Sequence, residues 1–131
     1  MSERINNSTR LMIEGREDTP HILLDMTDSI FRIVGASYPE DAFAVYSPVI
    51  EWIEKNRENI TVTWTCEFEF TYLSSASNKM IYEILLKFEE LSQSGKDIRV
   101  KWLYKDFDED MLEVGETYAE TFSLPFQFIV N

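Results

Sequence analysis

The sequence predicts an α/β domain, a two-layer sandwich in which a mixed sheet of about five to six strands carries three helices mainly on one face. Three observations predict it. Between positions 60 and 72 the even residues Ile60, Val62, Trp64, Cys66, Phe68, Phe70 and Tyr72 are apolar, while the odd ones, Thr61, Thr63, Thr65, Glu67, Glu69 and Thr71, are polar. That two-residue period is the mark of a strand buried on one side only. Next, Ile81, Ile84, Leu85, Phe88 and Leu91 form an apolar stripe at helical spacing through residues 80–94, ended by Gly95. Residues 98–104 then alternate again, with Arg99 and Lys101 on the polar side. A strand-helix-strand unit of this length is a right-handed parallel crossover, so Arg99 and Lys101 should come near Glu67 and Glu69 on an open face.

The remaining elements follow in order. Residues 1–8 read as a flexible polar tail and 9–131 as a single domain. Residues 10–14, 21–25 and 29–34 are short apolar runs separated by Gly15, Pro20 and an Asp-Met-Thr-Asp turn, the pattern of three antiparallel strands. His21, the one histidine, has no second histidine or cysteine cluster to join and reads as structural. A first helix opens at Ser37, which has capping-box spacing to Glu40. Ala42, Tyr46, Val49, Ile50 and Ile53 share one of its faces to about Asn56, and Pro48 should kink it or restart it after Ser47. Met111, Leu112, Gly115, Tyr118 and Ala119 mark a third helix. Residues 124–130 close the chain as a strand whose Pro125 argues against a central place.

Composition narrows the function classes. A chain of 131 residues buries about two-thirds of its unfolded surface without disulfide or metal. Twenty-four acids against twelve Lys and Arg give a net charge of −12, which opposes binding to nucleic acid or to an anionic membrane and favours protein partners. The single Cys66 forms no internal disulfide and belongs in the core. The polar start lacks a signal-peptide core and no apolar run approaches the ~20 residues of a membrane span, so a cytoplasmic protein is expected.

Enzyme motifs are mostly absent: there is no Gly-rich phosphate loop, no Cys or His metal spacing, and no second histidine to serve a nucleophile. Asp106, Asp108 and Asp110 imitate the start of a calcium loop, but Met111 stands where Gly is needed and Thr117 where the bidentate Glu is needed. No cofactor or metal is expected. If the strands at 29–34, 60–72 and 98–104 are parallel, the helix starts at Ser37, Ser75 and Asp108 share the sheet edge where α/β sites gather. At that edge Ser74, Ser75, Ser77 and Asn78 can be ordinary helix caps, or one serine can accept a phosphate held by the helix N-terminus. The competing reading is a small acidic enzyme using Asp41, Asp108 and Asp110 in metal-assisted chemistry.

Four segments carry a resemblance. Gly-Ala-Ser-Tyr-Pro-Glu-Asp at 35–41, Tyr-Leu-Ser-Ser-Ala-Ser-Asn-Lys at 72–79, Asp-Glu-Asp-Met-Leu-Glu-Val-Gly-Glu at 108–116 and Leu-Pro-Phe at 124–126 together resemble the SiaC family of bacterial biofilm-regulating phosphoproteins. The family's architecture is similar to STAS-domain anti-sigma factor antagonists. The resemblance implies partner switching without catalysis. It implies that a Ser/Thr protein kinase modifies the protein, that a PP2C-type phosphatase restores it, and that the unmodified form binds and activates a diguanylate cyclase in c-di-GMP signalling. The family's switch reads aromatic, apolar, Asn, Thr, Ser, Ser; here its acceptor maps onto Ser75, with Ser74 in place of Asn and Ala76 in place of a Ser, and with Ser74 and Ser77 as alternatives. The implied partner-binding residues are Ser37, Tyr38, Pro39, Glu40, Asp41, Ser74, Ser77, Asn78, Lys79, Asp106, Asp108 and Asp110.

Overall fold

Alternating apolar runs joined by tight turns pair with their neighbours, and the first four strands do so as an antiparallel meander: β1 (Arg4–Asn6), β2 (Arg10–Ile13), β3 (His21–Asp25) and β4 (Ile30–Ser37). The computed structural model describes residues 4–131. After β4 the chain changes to crossovers, passing through α1 (Ala42–Asn56), β5 (Trp64–Leu73), α2 (Ser75–Gln93), β6 (Ile98–Tyr104), α3 (Glu109–Thr121) and β7 (Phe126–Val130). β4 to β7 run parallel, and all seven strands lie in the sheet in sequence order. Crossovers that always step in one direction with the usual right-handed connection bring all three helices to one face. The sandwich is therefore two-layered as expected, with seven strands among the described residues rather than five or six.

The core lies between the sheet and the helices. Phe31, Ile33, Cys66, Phe68, Val100 and Trp102 face inward from the central strands, and Tyr46, Ile53, Ile84 and Phe88 meet them from the helices. Phe31 packs its ring against Phe68 at 5.4 Å and edge-on against Phe88 at 5.3 Å, geometry that aromatic quadrupoles favour. On the open face Arg32 bonds Glu67 at 3.0 Å. Lys101 stands opposite Glu67 in register, whereas Arg99 stands opposite Thr65 and pairs with Asp97, so the expected clustering of both cations with Glu67 and Glu69 is half met.

Several boundaries differ from the sequence expectation, each for a local reason. Of the expected tail, residues 1–3 lie outside the described residues, and Arg4–Asn6 form β1 because Ile5 can pair with Met12 across the meander. The alternation from 60 to 72 is not one strand. β5 starts at Trp64; Ile60 enters the core from a loop, and Val62 is exposed. At its other end a register shift leaves Thr71 without a partner, so that Gly35 pairs with Phe70 but Ala36 with Tyr72. The bulge turns Tyr72 out to solvent where strict alternation would bury it. Gly35 adopts φ +126°, which a side chain rarely tolerates.

The first helix is also corrected. Ser37 is not its cap: Ser37 ends β4, and Asp41 caps α1 by accepting from the Ala44 amide at 3.1 Å. A helix beginning at Ser37 would carry the strand's last residue out of the sheet. α1 then runs unbroken through Pro48 with no restart after Ser47, since the bond that Pro48 cannot make belongs to the exposed Ala44 carbonyl while Tyr46, Val49, Trp52 and Ile53 stay packed. α2 begins at Ser75, the helix start expected there, and its apolar stripe occupies the later turns. Pro125 precedes β7, which occupies the sheet edge.

Candidate functional site

Parallel β4, β5 and β6 deliver their C-terminal ends, and the starts of α1, α2 and α3, to one edge of the sheet. The serine turn occupies its centre. Ser74 is the N-cap of α2, and its hydroxyl accepts from the Ser77 amide at 3.2 Å. The Ser74 amide in turn donates to the Ser37 carbonyl at 2.9 Å, which hangs the turn from the end of β4.

Beneath the turn lies a hydroxyl network. Ser37 Oγ donates to Ser77 Oγ at 2.7 Å and lies 2.6 Å from the Tyr46 phenol, and all three residues are fully buried. Burial pushes the Tyr46 phenol up to about 12, against the smaller lowering by its bonds to Ser37 and Ser77. Tyr118 of α3 donates to the Asn78 carbonyl at 3.1 Å and to its side-chain amide oxygen. Burial also raises the Tyr118 phenol, with Tyr46 adding to it. These phenols stay protonated at neutral pH, so they hold the turn and supply no base.

The three candidate serines are thereby separated. Ser77 is enclosed, with no exposed surface and its hydroxyl engaged by Ser37. Ser74 is half-buried and committed to the cap. Ser75, the first helical residue, is exposed. Its amide and that of Ala76 belong to the first turn, which has no preceding carbonyl to bond. Lys79, four positions along, is exposed on the same helical face. An acceptor hydroxyl here stands beside two open N–H groups, the positive end of the helix and a cation, without an adjacent base.

The acidic candidates sit on the neighbouring connections. Asp108 caps α3 by accepting from the Met111 amide at 3.1 Å, and Glu109 and Asp110 occupy its first turn, where the dipole favours them. Asp106 is in the exposed turn after β6, closed by the Asp108 amide donating to the Lys105 carbonyl at 2.9 Å. Asp41 performs the same capping task on α1. Among the described residues no group of three or more His, Cys, Asp and Glu is arranged to hold a metal, and Asp41, Asp108 and Asp110 are not brought into one cluster. Among the same residues no helix is long and apolar enough to cross a membrane.

Tyr38 and Glu40 are exposed beside Pro39 in the β4–α1 connection, and the Tyr38 ring meets Tyr72 edge-on at 5.8 Å. Sequence reasoning placed Tyr46 and Tyr118 only as helix-face residues and missed their hydroxyls. The available signal was chemical: a tyrosine on a buried face must find a partner for its O–H. The exposed Phe43 and Phe107 were also missed.

Similarity to known proteins follows the same lines. The chain is 28% identical to apo-SiaC from Pseudomonas aeruginosa, whose crystal structure superposes with a TM-score of 0.87 over 93% of this chain and 99% of that one. It is 29% identical, with a TM-score of 0.87 over 92% of this chain and 99% of the other, to a chain in the structure of the P. aeruginosa diguanylate cyclase SiaD in complex with its activator SiaC. An uncharacterized protein of P. aeruginosa strain UCBPP-PA14 is 30% identical over 116 residues, 88% of this chain and 92% of the relative. The profile described as SiaC family regulatory phosphoprotein matches residues 13–131. With the strand order, the capped serine turn and that match in agreement, the chain belongs to the SiaC family of regulatory phosphoproteins.

Proposed function

We propose that this chain is a phosphorylation-controlled partner switch that binds and activates a diguanylate cyclase when unmodified. A Ser/Thr kinase adds phosphate to Ser75 and a PP2C-type phosphatase removes it, in the cytoplasm and without membrane or nucleic-acid binding. The protein is not itself an enzyme. The complex of SiaC with the cyclase SiaD supports this choice of partner. The observation that carries the switch is the separation of the serines: Ser75 is exposed at the first turn of α2, while Ser74 is the cap and Ser77 is enclosed.

A phosphate on Ser75 accepts N–H bonds from the first turn of α2 and pairs with Lys79. It adds about two negative charges to the centre of the edge formed by Ser37 to Asp41, Ser74 to Lys79 and Asp106 to Asp110, and a dianion desolvates poorly in an interface. The partner is released.

The test is phosphorylation by the organism's cognate kinase with ATP, followed by intact-mass and fragment mass spectrometry. One phosphate is expected, on Ser75, and none on Ser75→Ala. Undiminished labelling of Ser75→Ala would move the acceptor elsewhere and sink the assignment.

A further inference from the structure

We infer that four exposed aromatic side chains on the phosphoacceptor edge, Tyr38, Phe43, Tyr72 and Phe107, anchor a partner segment whose apolar side chains are bordered by Lys and Arg. The inference rests on the proposed cyclase binding and names the chemistry of that contact. Phe107 is 82% exposed, Phe43 68%, Tyr72 56% and Tyr38 42%. All four lie at the edge of the sheet where β4, β5 and β6 have their C-terminal ends. Tyr38 follows β4, Phe43 is the second residue of α1, Tyr72 is the next-to-last residue of β5, and Phe107 is in the turn before α3.

The fold does not need them there. Tyr72 is outside because the bulge opposite Gly35 and Ala36 turns it outward, against the alternation that buries Phe68 and Phe70. Outside, its ring meets that of Tyr38 edge-on. Phe107 occupies a hydrogen-bonded turn in which a polar residue would serve equally. Large apolar side chains gathered on one exposed edge mark an interaction surface, and aromatic residues supply most of the anchoring in protein interfaces.

Charge selects the partner's chemistry. Near the aromatics in the chain stand Glu40, Asp41, Asp106, Asp108, Glu109 and Asp110, with Lys79 in α2 and Lys105 in the turn before α3 among the cations. A surface with an aromatic centre and a predominantly acidic border fits an apolar segment with basic flanks. An attached phosphate therefore does not act by charge repulsion here. It releases the partner by placing a strongly hydrated dianion at a contact whose centre must dry.

Titration calorimetry of the full chain against the source organism's diguanylate cyclase tests this, with Phe43→Ser, Phe107→Ser and, at the opposite edge of the sheet, Val62→Ser. All three positions are exposed, so the variants fold, and thermal unfolding checks that they do. Phe43→Ser and Phe107→Ser are expected to weaken binding by up to about 30-fold each, the size of an interface hot spot. Val62→Ser should match wild type, and wild-type affinity should fall as salt is raised. If wild type binds and both Phe variants bind equally well, the aromatic anchor is overturned while the cyclase reading stands. Affinity unchanged or increased by salt overturns the basic border. Failure of the wild-type protein to bind overturns the cyclase reading and this inference with it.

Discussion

Ser37 Oγ donates to Ser77 Oγ over 2.7 Å, joining the last residue of a strand to the first turn of a helix 40 positions further along. Tyr46 completes the group from α1, so three elements meet at hydroxyls that water does not reach. Removing one partner strands the others. Ser37→Ala and Ser77→Ala should each cost about 1–3 kcal/mol of stability. Because both act on one network, the double variant should lose less than the sum by ~0.5–3 kcal/mol. Urea unfolding of the four proteins measures the coupling; additive losses would show that the hydroxyls act independently.

Capping and acceptance fall to adjacent residues. Ser74→Ala removes the oxygen that bonds the Ser77 amide and should cost about 1 kcal/mol. It leaves the Ser75 hydroxyl exposed, so kinase labelling of Ser74→Ala should still yield one phosphate, on Ser75. Ser77→Ala should behave likewise. Loss of labelling in Ser74→Ala at temperatures where the variant remains folded would shift the acceptor to Ser74.

The buried phenols predict an alkaline limit. Tyr46 titrates at about 12 in the fold against 10.0 for the free group, and burial raises Tyr118 as well. The folded state therefore holds protons that the unfolded chain has released, and stability falls as pH rises above 10. The contribution is fully present below pH 10 and is lost through the folded-state values. The expected slope reaches ~1.4 kcal/mol per pH unit for each tyrosine. Denaturant unfolding between pH 9 and 11.5 should show it, and Tyr46→Phe should reduce the slope; an unchanged slope in that variant would mean that Tyr46 does not carry it.

Much of this architecture was legible because periodicity reports burial. The stripe of Ile81, Ile84, Leu85, Phe88 and Leu91 is buried on α2, and the alternation of Trp64, Cys66, Phe68 and Phe70 is buried on β5. What periodicity could not report is where pairing stops. Val62 and Tyr72 continue the pattern but are exposed, one before β5 begins and the other past a bulge opposite Gly35 and Ala36. Ser37 was misplaced because capping-box spacing is a local signal, and Asp41 offers a competing cap four residues on. The serine turn was visible as composition. The depth that separates Ser75 from Ser77 was not, because it depends on Ser37 and Tyr46 arriving from other elements.

Close packing under α3 gives a final prediction. A Cβ built on Gly115 would lie 2.5 Å from Cδ1 and Nε1 of Trp102, closer than real contacts allow. The indole is held in place: its Nε1 donates to the Met111 carbonyl at 3.0 Å, and its ring meets Phe68 at 5.7 Å and Tyr118 edge-on at 5.6 Å. Gly115→Ala gains up to about 1 kcal/mol in helix propensity but overpacks by about 1–3 kcal/mol. Because the ring cannot turn away without losing the Met111 bond, overpacking should win. A lower urea midpoint with altered near-ultraviolet circular dichroism is expected. Tyr118 and its bond to Asn78 ride on the same helix, so the displacement should reach the first turn of α2 and slow Ser75 phosphorylation. A midpoint at or above wild type would show that α3 can lift from Trp102 freely.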